Sequence, residues 1–119
     1  MKIAINTDFG GFSLSDQAFE ALLARKGIAF DVVDTEKAWR GSDYYLAGRP
    51  HTDATYISQY EFYQQRNDPD LIAVIEQLGE AANGQYANIK IVEIPDDIDW
   101  HIVEYDGLEH VAEAHKTWQ

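Results

Sequence analysis

Residues 99–105 and 108–115 flank Asp106-Gly107, the dipeptide most favoured in a two-residue type I′ turn, where both central residues need positive φ. Such a turn makes the flanking runs antiparallel strands and sets every cross-strand pair between them. Tyr105 then faces Leu108, Glu104 faces Glu109, Val103 faces His110 and Ile102 faces Val111. One face of the hairpin carries His101, Val103, Tyr105, Leu108, His110 and Ala112. On the other, two glutamates oppose each other, which costs roughly a few tenths of a kcal/mol. That face tolerates them if the pair is exposed near the tip, or if a cation or a partner lies over it.

The other strong local signal is helical. Asp68 caps, Pro69 takes the first helical position and Asp70 adds charge that suits the macrodipole. Leu71, Val74, Ile75, Leu78 and Ala82 follow at helical spacing, and Asn83-Gly84 ends the run, so the spacing predicts a helix over 69–82 with those side chains as its buried face. At the start, residues 2–6 read as a strand and 8–14 as a glycine-rich turn. Ser15 caps a helix carrying Ala18, Phe19, Leu22 and Leu23, Gly27 stops it, and 28–34 form a second strand. Strand, helix and strand with short joints predict a βαβ unit with its two strands parallel. Residues 87–94, closed by Pro95, add another strand. The expected fold is a single α+β domain with a mixed sheet of about five strands, two main helices and a C-terminal hairpin.

Residues 35–67 form an aromatic-rich insertion. They hold Trp39, Tyr44, Tyr45, Tyr56, Tyr60, Phe62 and Tyr63, seven of fifteen aromatics in the chain. Tyr56, Tyr60 and Tyr63 fit a helix face, whereas Tyr56, Ser58, Tyr60 and Phe62 fit strand alternation; Asp53 as a cap tips the expectation to a helix. With Arg40, Arg49 and Arg66 they have the composition of interface hot spots, and equally of residues that close a core under a long loop.

Charge narrows function more than motif does. Among 119 residues, 21 Asp and Glu stand against 9 Lys and Arg, a formal charge of −12, while 45% hydrophobic content is enough to build a core. The segment 35–66 is neutral, so the excess lies elsewhere. It is densest over 91–115, where Glu93, Asp96, Asp97, Asp99, Glu104, Asp106, Glu109 and Glu113 occur with no Lys or Arg. Direct binding to nucleic acid or an anionic membrane is disfavoured by repulsion. No apolar run approaches a membrane span, and the first residues read as a strand and not as a secretion signal. The plain reading of an acidic run is a solvated face. The sharper one is a surface that docks on a basic protein partner, including a groove that normally holds nucleic acid, which the domain would mimic in charge.

Catalytic constellations are lacking. There is no cysteine and no Gly-x-Ser-x-Gly, and abundant carboxylates in an acidic chain are not evidence of acid–base chemistry. The chain is therefore expected not to be an enzyme and to carry no cofactor. His101 with His110, and Asp96 with Asp97 and Asp99, lack the ligand sets of a metal site, so no metal is expected. The turn at Phe9, Gly10, Gly11, Phe12 and Ser13 is the one stretch suited to a small anion, through backbone N–H groups at a helix start. It matches neither the dinucleotide fingerprint nor the P-loop, and Asp8 would repel an anion. A tight turn requiring glycine-only conformations, with Phe9 and Phe12 as packing residues, is the competing reading.

Lys2-Ile3-x-Ile5-Asn6-x-x-Phe9-Gly10-Gly11-Phe12-x-Leu14-Ser15, Asp68-Pro69-Asp70-Leu71 and Leu78-Gly79-Glu80-x-Ala82-Asn83-Gly84 resemble a group of small proteins encoded in bacteriophage and prophage genomes. Val92-Glu93-Ile94-Pro95-Asp96-Asp97-x-x-Trp100-x-Ile102-x-Glu104-Tyr105-Asp106-Gly107 and His115-Lys116-Thr117-Trp118 are similar to the same group, with Lys116 where arginine is expected. Residues 35–66 fall outside the resemblance. It implies a phage-encoded accessory protein of the host cytoplasm, and by analogy an inhibitor of a host defence complex in the manner of an anti-CRISPR protein. The expected partner is a host protein with a basic surface. The partner-facing residues would be Asp96, Asp97, Asp99, Glu104 and Glu109 with Trp39, Tyr56 and Tyr60, and a homodimer is an open alternative. The second reading is a small-ligand or nucleotide binder using residues 8–15.

Overall fold

A computed structural model describes residues 1–35 and 41–113. The fold is α+β, as expected. In chain order it contains β1 (Lys2–Asn6), α1 (Asp16–Arg25), β2 (Phe30–Asp34), β3 (Ser42–Leu46), β4 (Tyr56–Ile57), a single-turn α2 (Gln59–Phe62), α3 (Pro69–Leu78), β5 (Ile89–Glu93), β6 (Trp100–Tyr105) and β7 (Leu108–Glu113).

The strands do not form the expected mixed sheet. Among the described residues three small antiparallel sheets take its place, pairing β1 with β5, β3 with β2 on one side and β4 on the other, and β6 with β7. The parallel βαβ start is thereby corrected: β1 runs against β5, with Lys2 opposite Glu93 and Asn6 opposite Ile89. The reason lies at the second edge of β1, where a parallel β2 would have to bond. The Ala4 N–H donates to the Arg66 carbonyl at 2.8 Å, and the Asn6 N–H donates to the Glu109 carboxylate at 2.8 Å. With that edge occupied, β2 joins β3 instead, Phe30 facing Leu46 and Asp34 facing Ser42.

The helices form where capping and periodicity place them. The Ser15 hydroxyl accepts from the Ala18 N–H, and α1 buries Ala18, Phe19, Leu22 and Leu23. On α3 the Asp68 carboxylate accepts from the Asp70 N–H, and Leu71, Ile72, Val74 and Ile75 are buried. Leu78 is only half-buried, because Gly79 at φ +58° ends the α-helix and a 3₁₀ turn (Gly79–Ala82) follows. The expected face is shifted toward the first two turns, and Ile72 joins it. Lys26 ties the end of α1 to the start of α3 through Asp68 at 2.8 Å, an ion pair that raises the lysine pKa.

Most of the buried apolar residues make one cluster, to which Ala4 of β1 belongs while the equally buried Ile3 and Ile5 do not. Phe19, Leu22 and Leu23 meet Leu71, Val74 and Ile75, with Ala4, Phe12, Tyr44, Ile57 and Ile89 around them. Phe19 stands edge-on to both Tyr44 and Phe62. The insertion thus closes the core with Tyr44 and Ile57. The helix expected over Tyr56, Tyr60 and Tyr63 is broken up: Tyr56 lies in β4, Tyr60 in α2 and Tyr63 beyond it. Asp53 falls in the turn before β4 and caps no helix.

Candidate functional site

The C-terminal hairpin adopts the register expected from its turn, Tyr105 opposite Leu108, Glu104 opposite Glu109, Val103 opposite His110 and Ile102 opposite Val111. Asp106 at φ +50° and Gly107 at φ +88° form the turn. The two glutamates resolve their opposition in different ways. Glu104 is exposed and accepts the Gly107 N–H at 3.0 Å. Glu109 is buried beneath Arg66, whose guanidinium grips it at 2.6 and 2.9 Å, and also holds the Asn6 N–H. Arg66 is itself packed on the Phe12 ring, 3.9 Å from its centroid, and donates to the Tyr63 carbonyl. The expectation that Glu109 faces a partner is corrected: its carboxylate is consumed inside the fold, and it fastens the hairpin to the body.

The remaining carboxylates of this stretch, at Glu93, Asp96, Asp97, Asp99, Glu104, Asp106 and Glu113, are all exposed. Asp96 pairs with the ammonium of Met1, which holds its carboxyl below the ordinary range. His101 and His110 lie diagonally on the outer, exposed face of the hairpin.

The glycine-rich turn packs against the hairpin tip. Gly10 and Gly11 sit at φ +125° and +92°, conformations that glycine adopts without strain. Three amides of the turn are engaged within the protein: Phe9 N–H donates to the Asp8 carboxylate, Gly10 N–H to the Asp106 carbonyl at 3.4 Å and Leu14 N–H to the Gln59 side chain. Phe9 is exposed at 59%, whereas Phe12 is buried in the core. Of the residues expected to surround a ligand, Ser13 borders a cleft, together with Leu14 and Ser15 at the end of the 8–15 stretch.

That cavity is a cleft of about 390 Å³ beside the start of α1, walled by Ser13, Asp16, Ser42, Tyr44, Tyr56 and Asn83 among others. The Asp16 carboxylate accepts from the Ser42 N–H and hydroxyl, and the Tyr44 hydroxyl donates to Glu20 at 3.0 Å. Burial first, and then these carboxylates, push the Tyr44 phenol well above its ordinary pKa. The polar groups at its floor thus already bond to one another.

Tyr56 and Tyr60 are exposed, at 45% and 62%, and Tyr56 borders the cleft while Tyr60 does not. Trp39 lies outside the described residues. Two residues central to the arrangement carry little sequence signal. Tyr86, 59% exposed, has its Cβ against Gly10, and a large aromatic in a helix-to-strand loop was its only trace. Asn6 is fully buried, and a polar residue ending an apolar strand was the sign of it. No helix among the described residues is long and apolar enough to cross a membrane. No family model, no curated protein and no solved structure matches the chain, so the arrangement of its own residues carries the functional reading.

Proposed function

We propose that this domain works by binding a protein with a basic surface. The observation that carries the reading is the run 91–113, in which seven of eight carboxylates are exposed and no Lys or Arg intervenes. Exposed charge of one sign speeds encounter with the opposite sign and repels nucleic acid. The narrower form, an inhibitor acting in the host cytoplasm on a defence complex whose basic groove normally holds nucleic acid, is supported by the resemblance to phage-encoded proteins and by charge mimicry.

The test captures proteins from host extract on the immobilised domain and measures the affinity of the captured partner at two salt concentrations. Asp97→Asn, Asp99→Asn and Glu113→Gln combined should weaken binding, and salt should weaken the wild type more than the variant. Salt-independent binding with equal affinity for both would remove the acidic run from the reading.

A second reading, a small polar ligand in the cleft between Ser13 and Tyr56, is favoured by the cavity's size. It ranks lower because Asp16, Ser42 and Tyr44 are satisfied by bonds within the protein.

A further inference from the structure

Three exposed aromatic rings stand on three segments that touch. Phe9 is 59% exposed, Tyr86 59% and Tyr105 72%. Phe9 precedes Gly10, whose N–H donates to the carbonyl of Asp106, the residue after Tyr105. A Cβ on Gly10 would lie 2.6 Å from the Cβ of Tyr86, and one on Gly107 would run into the backbone of Gly10 and Gly11. Glycine at both places is what lets the loops close on each other.

A single buried side chain fastens all three. The Asn6 amide donates to the Asp8 carbonyl at 2.6 Å and to the Gly107 carbonyl at 2.7 Å, while its oxygen accepts the Asn88 N–H at 2.9 Å. Those contacts fall within two residues of Phe9, Tyr105 and Tyr86. Glu109, held by Arg66, anchors the strand that leaves the turn. The rings are exposed, but the backbone under them is braced, so ordering it costs little on binding.

Charge selects the occupant. Residues 6–10, 84–88 and 103–108 contain the carboxylates Asp8, Glu104 and Asp106 and no Lys or Arg, and all three carboxylates are exposed. Aromatic faces rimmed by carboxylates suit guanidinium and ammonium groups, through cation–π contact and ion pairing together. A second copy of this chain would bring like charge to like. We infer that Phe9, Tyr86 and Tyr105 form the anchoring patch of the docking surface, and that it takes arginine- or lysine-bearing segments of a protein partner. This rests on the proposed binding function and adds to it where the contact is centred.

The probe is an alternating arginine–glycine peptide, titrated into the isotope-labelled domain by NMR, with an alternating glutamate–glycine peptide as control. The arginine peptide should move the amides of Phe9, Gly10, Tyr86 and residues 104–107 first. Phe9→Ala, Tyr86→Ala and Tyr105→Ala combined should weaken its binding by about tenfold or more, with thermal stability little changed because the rings are exposed. Asp97→Asn with Asp99→Asn should weaken binding less than that. Equal affinity of the triple variant, with shifts centred on 93–99, would overturn the aromatic anchor and leave the acidic reading standing. No shift with peptide up to about millimolar concentration, the range of the weakest specific contacts, would overturn both. Concentration-dependent shifts at the three rings without peptide would identify a second copy as the occupant and overturn the basic partner.

Discussion

Glu109 is where the charge pattern of the chain and the demands of its fold part company. Its place opposite Glu104 follows from a dipeptide turn, so the conflict was legible in the sequence. Its resolution was not, because Arg66 lies 43 positions away and no spacing rule links an insertion to a hairpin. The pair is nearly dry, with side-chain exposures of 13% and 7%, so truncating one partner leaves the other charge buried and alone. Glu109→Ala should cost about 3–5 kcal/mol, and Glu109→Gln less, since the amide oxygen still serves the Asn6 N–H. Urea denaturation of both variants checks this. A loss below about 1 kcal/mol for Glu109→Ala would mean that Arg66 swings out to water and that the pair is not what fastens the hairpin.

Elements whose signal is local were readable: both caps at Ser15 and Asp68, the hairpin register, and the first two turns of α3. The far end of α3 was misread for a physical reason. Helical periodicity runs on through Leu78 and Ala82, but Gly79 takes φ +58° and the backbone tightens into a 3₁₀ turn, which rotates Leu78 partly out of the core. Ala82 returns to full burial by the changed pitch. The two leucines therefore should not respond alike. Leu71→Ala, at a fully buried site, should destabilise by about 2–5 kcal/mol, and Leu78→Ala by clearly less, since the cavity left there opens toward solvent. Thermal or urea midpoints compared side by side decide it, and equal losses would put Leu78 back in the core. The insertion was illegible at this scale because its strands are short, β4 having two residues, so that neither period could establish itself.

At the scale of the whole molecule, what sequence could not reveal was which strands find each other beyond the hairpin. Pairing β1 with β5 spans most of the chain, and it is decided by what else reaches β1, namely Arg66 and Glu109, rather than by anything within the strand. The overall charge, by contrast, is fully legible and has a consequence for stability. At −12 the folded chain repels itself, and its exposed ion pairs, such as Lys2 with Glu76, return little in water. The buried Arg66–Glu109 pair is poorly reached by ions and keeps its strength. Screening should therefore relieve more repulsion than it removes attraction. Raising sodium chloride from low to physiological strength should raise the melting temperature by about a few degrees. Asp97→Asn with Asp99→Asn should raise it at low salt as well, and that gain should shrink as salt is added. The proposed docking on a basic partner would depend on the same charges with the opposite sign: salt should weaken it while the fold grows firmer. A melting temperature that falls with sodium chloride would mean that attraction among surface charges outweighs their repulsion. The carboxylates of 93–113 would then be part of what holds the fold together, rather than charge held free for a partner.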